Sequence, residues 1–143
     1  MGVTYLADTN IVSEIMRPKP DATVQTAWKK HRHETAICSI TWHELLAGVY
    51  YLPTSKRRTA LENFLHEYVE KLVVILPYDQ AAADWHAFER ARLRQLGKTP
   101  SFADGQIAAV AATSDLVLIT RNVNDFLNFS SLSVSNWFES SQI

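Results

Sequence analysis

Four acids far apart in the 143-residue chain, Asp8, Glu44, Asp104 and Asp125, stand beside segments that read as strand ends or helix starts. Asp8 closes the apolar run Val3 to Ala7, and Thr9 and Asn10 lead on into the helically spaced segment Ile11 to Met16. Glu44 lies one turn into the helix after the second apolar run, Asp104 in the first turn of a helix opening at Ser101, and Asp125 after the run ending at Thr120. In a parallel sheet these positions fall toward the carboxyl edge, where open α/β sheets hold their ligands, so the four side chains can share one cleft. Carboxylates gathered in this way repel one another, and a hard dication, Mg²⁺ with Mn²⁺ as a substitute, relieves the repulsion through oxygen ligands. Such an ion acidifies a bound water and neutralises charge on a phosphodiester, so the chemistry suggested is metal-assisted phosphodiester hydrolysis.

Each acid also has a plainer use. Asp8 can cap the helix that follows it, a task that Thr9 and Asn10 could equally perform. Ser101 and Asp104 have capping-box spacing, so Asp104 can serve the helix start alone or in addition to a site. Glu44 projects almost opposite the face formed by Trp42, Leu45, Leu46 and Val49, where a glutamate is usually solvated, yet Ile40, Ala47, Gly48 and Tyr51 give its own side a small, apolar surround. Asp125 sits in Thr120-Arg121-Asn122-Val123-Asn124-Asp125, a stretch that also suits an ordinary turn.

The elements that must position these residues alternate along the chain. Short apolar runs at Val3 to Ala7, Thr35 to Cys38, Leu72 to Leu76 and Leu116 to Thr120, with a weaker one at Leu132 to Val134, read as strands. Between them lie helices: one closed by Pro18 and Pro20, one capped by Asp21, one over Thr41 to Leu52, and one starting after Pro53 that carries Leu61, Phe64, Leu65 and Tyr68. A long helix capped by Asp79 runs to Leu96 and stops at Gly97, and the next runs from Ser101 to about Ser114. Strands buried on both faces with helices between them predict a parallel sheet with right-handed crossovers. The expected class is α/β, a three-layer sandwich around a central, mostly parallel five-stranded sheet.

The chain length suits one domain over residues 1–143. Lys and Arg number 14 against 15 Asp and Glu, so any contact with a polyanion must be a local patch. Cys38 is the sole cysteine, which excludes an internal disulfide and any cysteine-based zinc site. The lack of a signal-like segment or a membrane-length apolar run predicts a soluble, cytoplasmic protein without a membrane partner. His43-Glu44-Leu45-Leu46 lacks the second histidine of a zinc-protease helix, and the four tryptophans read as core or interface residues, although Trp42 or Trp137 beside the cleft could stack a base.

Four stretches in order carry a family resemblance: Leu6-Ala7-Asp8-Thr9-Asn10, Thr41-Trp42-His43-Glu44-Leu45, Ala103-Asp104-Gly105-Gln106-Ile107-Ala108-Ala109 and Thr120-Arg121-Asn122-Val123-Asn124-Asp125-Phe126. Together they resemble the PIN-domain ribonucleases, specifically VapC-type toxins of bacterial toxin–antitoxin pairs. The opening through Ser13-Glu14 and Arg17-Pro18 and the tail with Asn136-Trp137 are similar to the FitB-like branch. The resemblance implies a PIN-like fold and a metal-binding site of Asp8, Glu44, Asp104 and Asp125 supported by hydrogen bonds from Asn10 and Thr120. It further implies an endoribonuclease acting on RNA, a VapB-type antitoxin as partner, and a homodimer or higher homo-oligomer.

Ten of the 14 basic residues fall in three clusters, Lys29, Lys30 and Arg32, then Lys56, Arg57 and Arg58, then Arg90, Arg92, Arg94 and Lys98. The last leads directly into Ser101 and Asp104, so Arg94 and Lys98, with Arg121 beside Thr120, are the expected phosphate contacts, against the plain alternative of solvated helix faces. Single-stranded or looped RNA is the expected substrate, because exposed bases and backbone enter a cleft that a duplex cannot. The alternative is a catalytically silent PIN-like module that binds RNA or protein. A phosphotransferase with Asp8 as nucleophile fits less well, since such enzymes need a second acid where Asn10 stands.

Overall fold

Each apolar run in the computed structural model, which describes residues 2–139, becomes a short strand, and each helically spaced segment a helix packed on one sheet face. β1 (Tyr5–Ala7) leads into α1 (Thr9–Ile15) and α2 (Ala22–His31), and β2 (Thr35–Cys38) into α3 (Ser39–Tyr50) and α4 (Lys56–Phe64). β3 (Val74–Leu76) is followed by α5 (Gln80–Gln95) and α6 (Phe102–Thr113), then by β4 (Val117–Ile119) and β5 (Val134–Ser135). The strand order is β3-β2-β1-β4-β5 and every neighbouring pair is parallel, so the described sheet is wholly rather than mostly parallel.

Period-two alternation divides the strand residues between two cores. Leu6, Ala36, Cys38 and Leu118 face α5 and α6, meeting Ala82, Leu93 and the run Ile107 to Ala111. Ala7, Ile37 and Ile119 face the other way, onto Ile11, Val12, Trp28, Leu45, Leu65 and Trp137. Two helical layers thus enclose the sheet, the expected three-layer sandwich.

Local signals hold at the helix ends. Asp21 accepts from Val24 N at 3.0 Å, Ser55 from Arg58 N at 3.1 Å, Asp79 from Ala82 N at 2.9 Å and Ser101 from Asp104 N at 3.2 Å. After α5, Gly97 takes φ of 71°, which lets Gly97 N reach Arg94 O and Lys98 N reach Leu93 O, closing the helix.

The structure departs from expectation in four places. β1, β3 and β4 are shorter than their apolar runs, and the weak last strand is shifted to Val134–Ser135. β3 is an edge strand with Val74 half exposed and Leu72 more so, because no strand covers its outer side; burial on both faces fails there. The first helix stops at Ile15, three residues before Pro18. After Phe64 the chain widens into π-helical turns over Leu65–Glu70 that keep Leu65 and Val69 in the core. No helix among the described residues is long and apolar enough to cross a membrane.

The strand order decides where a site can form. From β1 the chain builds outward to β2 and β3 on one side, while β4 and β5 lie on the other, so the connections leave in opposite directions and a crevice opens at the carboxyl ends of β1 and β4. Asp8 follows β1 immediately, and Thr120 follows β4.

Candidate active site

The crevice is built around Asp8. Its backbone N–H donates to Ile119 O at 2.8 Å, continuing the β1–β4 ladder one residue past the strand and aiming the side chain into the switch point. Oδ1 accepts from Thr9 N at 2.7 Å, so Asp8 does cap α1; Oδ2 accepts from Thr120 Oγ1 at 2.8 Å and from Asn10 Nδ2 at 3.2 Å. The capping and cleft roles therefore coexist in one carboxylate. Asn10 also accepts from Arg121 N and Thr120 from Asn122 N, so both orienting residues are themselves held by the loop after β4.

Three more elements bring the remaining acids. α3 carries half-buried Glu44, whose Oε1 accepts from Thr9 Oγ1 at 2.6 Å. α6 places half-buried Asp104 in its first turn. Asp125 lies in the 3₁₀ turn Val123–Phe126 and is exposed. Asp8, Glu44 and Asp104 line one cleft of about 510 Å³ together with Thr9, Asn10 and Asn122. Asp125 is not on that wall, but its charge reaches Asp104.

Electrostatics tie all four together. Burial lifts the Asp8 carboxyl from 3.8 to about 6; the Thr120 and Thr9 hydrogen bonds oppose this, while the charges of Asp104 and Glu44 add to it. Asp104 is likewise raised, first by burial and then by Asp125 and Glu44, against a bond from Ser101. A cleft in which burial, and to a lesser degree mutual repulsion, makes acids hold their protons favours a bound cation. The donors are hard oxygens, the set that suits Mg²⁺ or Mn²⁺. Among the described residues no three acids, imidazoles or thiols are drawn tightly enough to hold an ion by themselves. Magnesium asks for less, since one or two carboxylates with waters and substrate phosphate commonly complete its shell.

Removing the oriented donor tests this arrangement. We expect Thr120→Val to leave Asp8 buried without its shortest side-chain bond, to move the acidic limb of any activity profile to higher pH, and to weaken Mg²⁺ binding by roughly 10–100-fold. Titrating Mg²⁺ against thermal stability checks this, and an unchanged midpoint would refute it.

Two residues that sequence reasoning did not single out control where Asp104 sits. Gly105, the next residue on α6, is buried against His86 of α5: a Cβ built there would lie 2.6 Å from His86 Cδ2 and closer still to Nε2. His86 is 3% exposed, shares a hydrogen bond with Tyr78 OH through Nδ1, and is pushed toward its neutral form by burial and by Arg90. Its Nε2 is the one buried side-chain polar atom without a partner among the described residues. With the proton on Nδ1, the imidazole turns a lone pair rather than an N–H toward Gly105. A small-residue step next to an acid was the only cue in the sequence, and the partner histidine lies 19 positions away.

A second anchor holds the segment bearing Asp125. Buried Glu89 on α5 receives two hydrogen bonds from Arg92, at 2.8 and 3.0 Å, and one from Ser130 N at 2.6 Å, while Arg92 also donates to Asn128 O. Arg92 is thus a tie between α5 and the chain after Phe126. Arg90 donates to Pro100 O and stacks over Phe102, steadying the entry to α6. Arg94 and Lys98 are exposed and absent from the cleft wall, whereas Arg121 lines it. The basic run points away because residues spaced along α5 cannot all share the face that meets α6. Trp137 is almost fully buried between Tyr5 and His31 and cannot stack a base, and Trp42 is half-buried against His66. The aromatic ring at the cleft is Phe138. Thr9, Ser13, Glu14, Arg17, Asn122 and Phe138 also line the wall, and none of them was an expected site residue.

The PIN domain model matches residues 5–130. The toxin FitB of Neisseria gonorrhoeae is 35% identical over 129 residues, which span 85% of this chain and 89% of FitB. VapC ribonuclease Y4jK of Sinorhizobium fredii is 34% identical over 122 residues, 83% of this chain and 87% of that protein. A solved structure of FitAB bound to a DNA fragment superposes with a TM-score of 0.88 at 29% identity, covering 95% of this chain and 96% of the matched one.

Proposed function

Because the chain belongs to the PIN-domain family, among the VapC-type toxins and on the branch that includes FitB, we propose that it is a divalent-cation-dependent endoribonuclease toxin that cuts single-stranded or looped RNA until a cognate VapB-type antitoxin restrains it. The observation that carries the reading is that Asp8, Glu44 and Asp104 line one cleft at the switch point of a parallel sheet, with the charge of Asp125 reaching Asp104 from outside that wall. The kinship with FitB, Y4jK and FitAB supports the toxin activity and a protein partner.

In this reading Asp8, Glu44 and Asp104 hold the cation, directly or through water, and Asp125 completes the site from its rim. Bound there, Mg²⁺ would supply Lewis acidity toward the phosphodiester and the attacking water. The protein's own work is orientation and charge. Thr120, Asn10 and Thr9 N fix both oxygens of Asp8, and Thr9 Oγ1 fixes one oxygen of Glu44, so these carboxylates are oriented before a cation arrives. Without a cation Asp8 takes a proton below about pH 6, so the cation competes with that proton for its oxygens. No protein nucleophile is needed. The same reading has one PIN domain acting in the cytoplasm as a homodimer or higher oligomer, and the large exposed rings of Tyr51 and Phe102 support self-association.

The chain, purified free of partner and incubated with bulk bacterial RNA, is expected to cleave it in Mg²⁺ or Mn²⁺ and not in EDTA. Asp104→Asn is expected to lower cleavage by roughly 10²–10³-fold while far-UV CD and melting behaviour persist. Intact RNA after incubation with folded wild-type protein in saturating Mg²⁺ would sink the reading and favour a silent binding module.

A further inference from the structure

A strongly acidic cleft repels the polyanion it is meant to cut, so cations must stand beside it. Two do. Arg17, just past the end of α1, and Arg121, in the loop after β4, line the same cleft as Asp8, Glu44 and Asp104, and among the described residues they are the only basic side chains on its wall. They approach from different elements, and each has a fixed base.

Arg17 is seated on a fifth carboxylate. Glu14, the last buried residue of α1, is 6% exposed; its Oε1 accepts from Arg17 Nη1 at 3.2 Å and its Oε2 from Asp21 N at 2.8 Å. Both oxygens are occupied, so Glu14 is a strut between α1 and the start of α2 rather than a further acid of the site. The Arg17 side chain is 65% exposed although one guanidinium nitrogen is tied to Glu14. A guanidinium carries five N–H donors, and one bond to Glu14 leaves the fork able to take a phosphate in two-point fashion. Arg121 is steadied differently: its backbone N–H donates to Asn10 Oδ1 at 3.2 Å and its guanidinium lies 4.4 Å over the Phe138 ring, also on the wall.

We propose that Arg17 and Arg121 grip the two phosphates that flank the scissile one, on either side of the acidic pit, with Phe138 as the stacking platform for a neighbouring base, so that a single strand is drawn across the carboxylates. This rests on the ribonuclease reading and adds the substrate track to it. A strand held at both flanks places the intervening phosphodiester over Asp8 and Asp104. The plain alternative makes Arg17 only a staple between α1 and α2.

The experiment measures binding and cutting separately. A fluorescein-labelled single-stranded RNA 12-mer of randomised sequence is titrated by anisotropy at several salt concentrations, and bulk bacterial RNA is the cleavage substrate. Arg17→Ala is expected to weaken binding roughly tenfold, to reduce the salt slope by about one, and to raise KM with kcat within about twofold. Arg17→Lys should restore the salt slope but only part of the affinity, since it keeps the charge and loses the fork. Phe138→Ala should weaken binding roughly tenfold with an unchanged salt slope. A staple predicts otherwise: Arg17→Ala would lower the melting temperature and leave KM and salt slope at wild-type values, which would overturn the proposal while wild-type cleavage kept the ribonuclease reading alive. If the wild type neither binds the 12-mer nor cuts RNA, the ribonuclease reading itself has failed, and the track with it.

Discussion

Asp8→Asn is expected to lower RNA cleavage by roughly 10²–10³-fold or more and, in the absence of divalent cations, to make the protein more stable. The two effects share one cause. Asp8 is buried, and its carboxyl is raised from 3.8 to about 6. The folded chain therefore binds this proton more tightly than the unfolded chain does. The folded state is favoured below the unfolded value and loses stability as pH rises through about 6, by up to about 3 kcal/mol once both states are ionised. Asn is neutral at every pH, retains an oxygen for Thr9 N, and removes the repulsion from Asp104 and Glu44. In EDTA at pH 8 the variant should unfold at higher urea than wild type, and at pH 4 the two should converge. Mg²⁺ should reverse the order, because only the wild type gains binding free energy from the ion. Urea curves in EDTA and in Mg²⁺ at the two pH values decide it. Equal stabilisation of both proteins by Mg²⁺, or a variant less stable than wild type in EDTA at pH 8, would contradict the account.

Gly105→Ala is the second large effect, and it acts through packing rather than charge. One methyl group would have to enter space held by the His86 imidazole, which is itself enclosed by Tyr78 and Phe102. The His86 ring is 3% exposed, so it cannot move aside without disturbing the α5–α6 contact. Overpacking of this kind costs about 3 kcal/mol. Any relief by movement of α6 also displaces its first turn and carries Asp104 off the cleft wall, so activity should fall by about tenfold or more even at temperatures where the variant is folded. Gly105→Ala combined with His86→Ala should recover much of the lost stability, because the second change removes the obstacle. Chemical denaturation of the two single variants and the double variant forms the necessary cycle. Additive losses would show that the collision is not the cause.

The trade seen at Asp8 runs through the whole cleft. Asp8 and Asp104 face the cleft as acids that weaken the fold when ionised, while struts such as Glu14 and Glu89 are placed where every oxygen finds a donor. The difference between the two kinds of buried acid lies in their partners. Glu89, paired with Arg92 and Ser130, is held below the usual carboxylate range, whereas Asp8, among other acids, is held above it. Saturated acids hold the structure, and unsaturated ones are left to meet a cation.

By itself the sequence determined the alternation of strands and helices, the caps at Asp21, Asp79 and Ser101, the stop at Gly97, and that four acids stand beside strand ends or helix starts. All of these depend on neighbours within a few residues, where periodicity, φ preference and side-chain bonding to the backbone act. Tertiary structure alone decided the rest. Whether Glu44 turns to water or to the cleft depends on Thr9, 35 positions away, and whether Trp137 or Phe138 meets the substrate depends on which face of β5 the tail follows. That the cleft's cations are Arg17 and Arg121, rather than Arg94 and Lys98 of the longest basic run, follows from how α5 and α6 pack and from the switch point between β1 and β4. Those contacts join residues that share no local pattern, because they are set by strand order and helix packing, which no short window of sequence encodes.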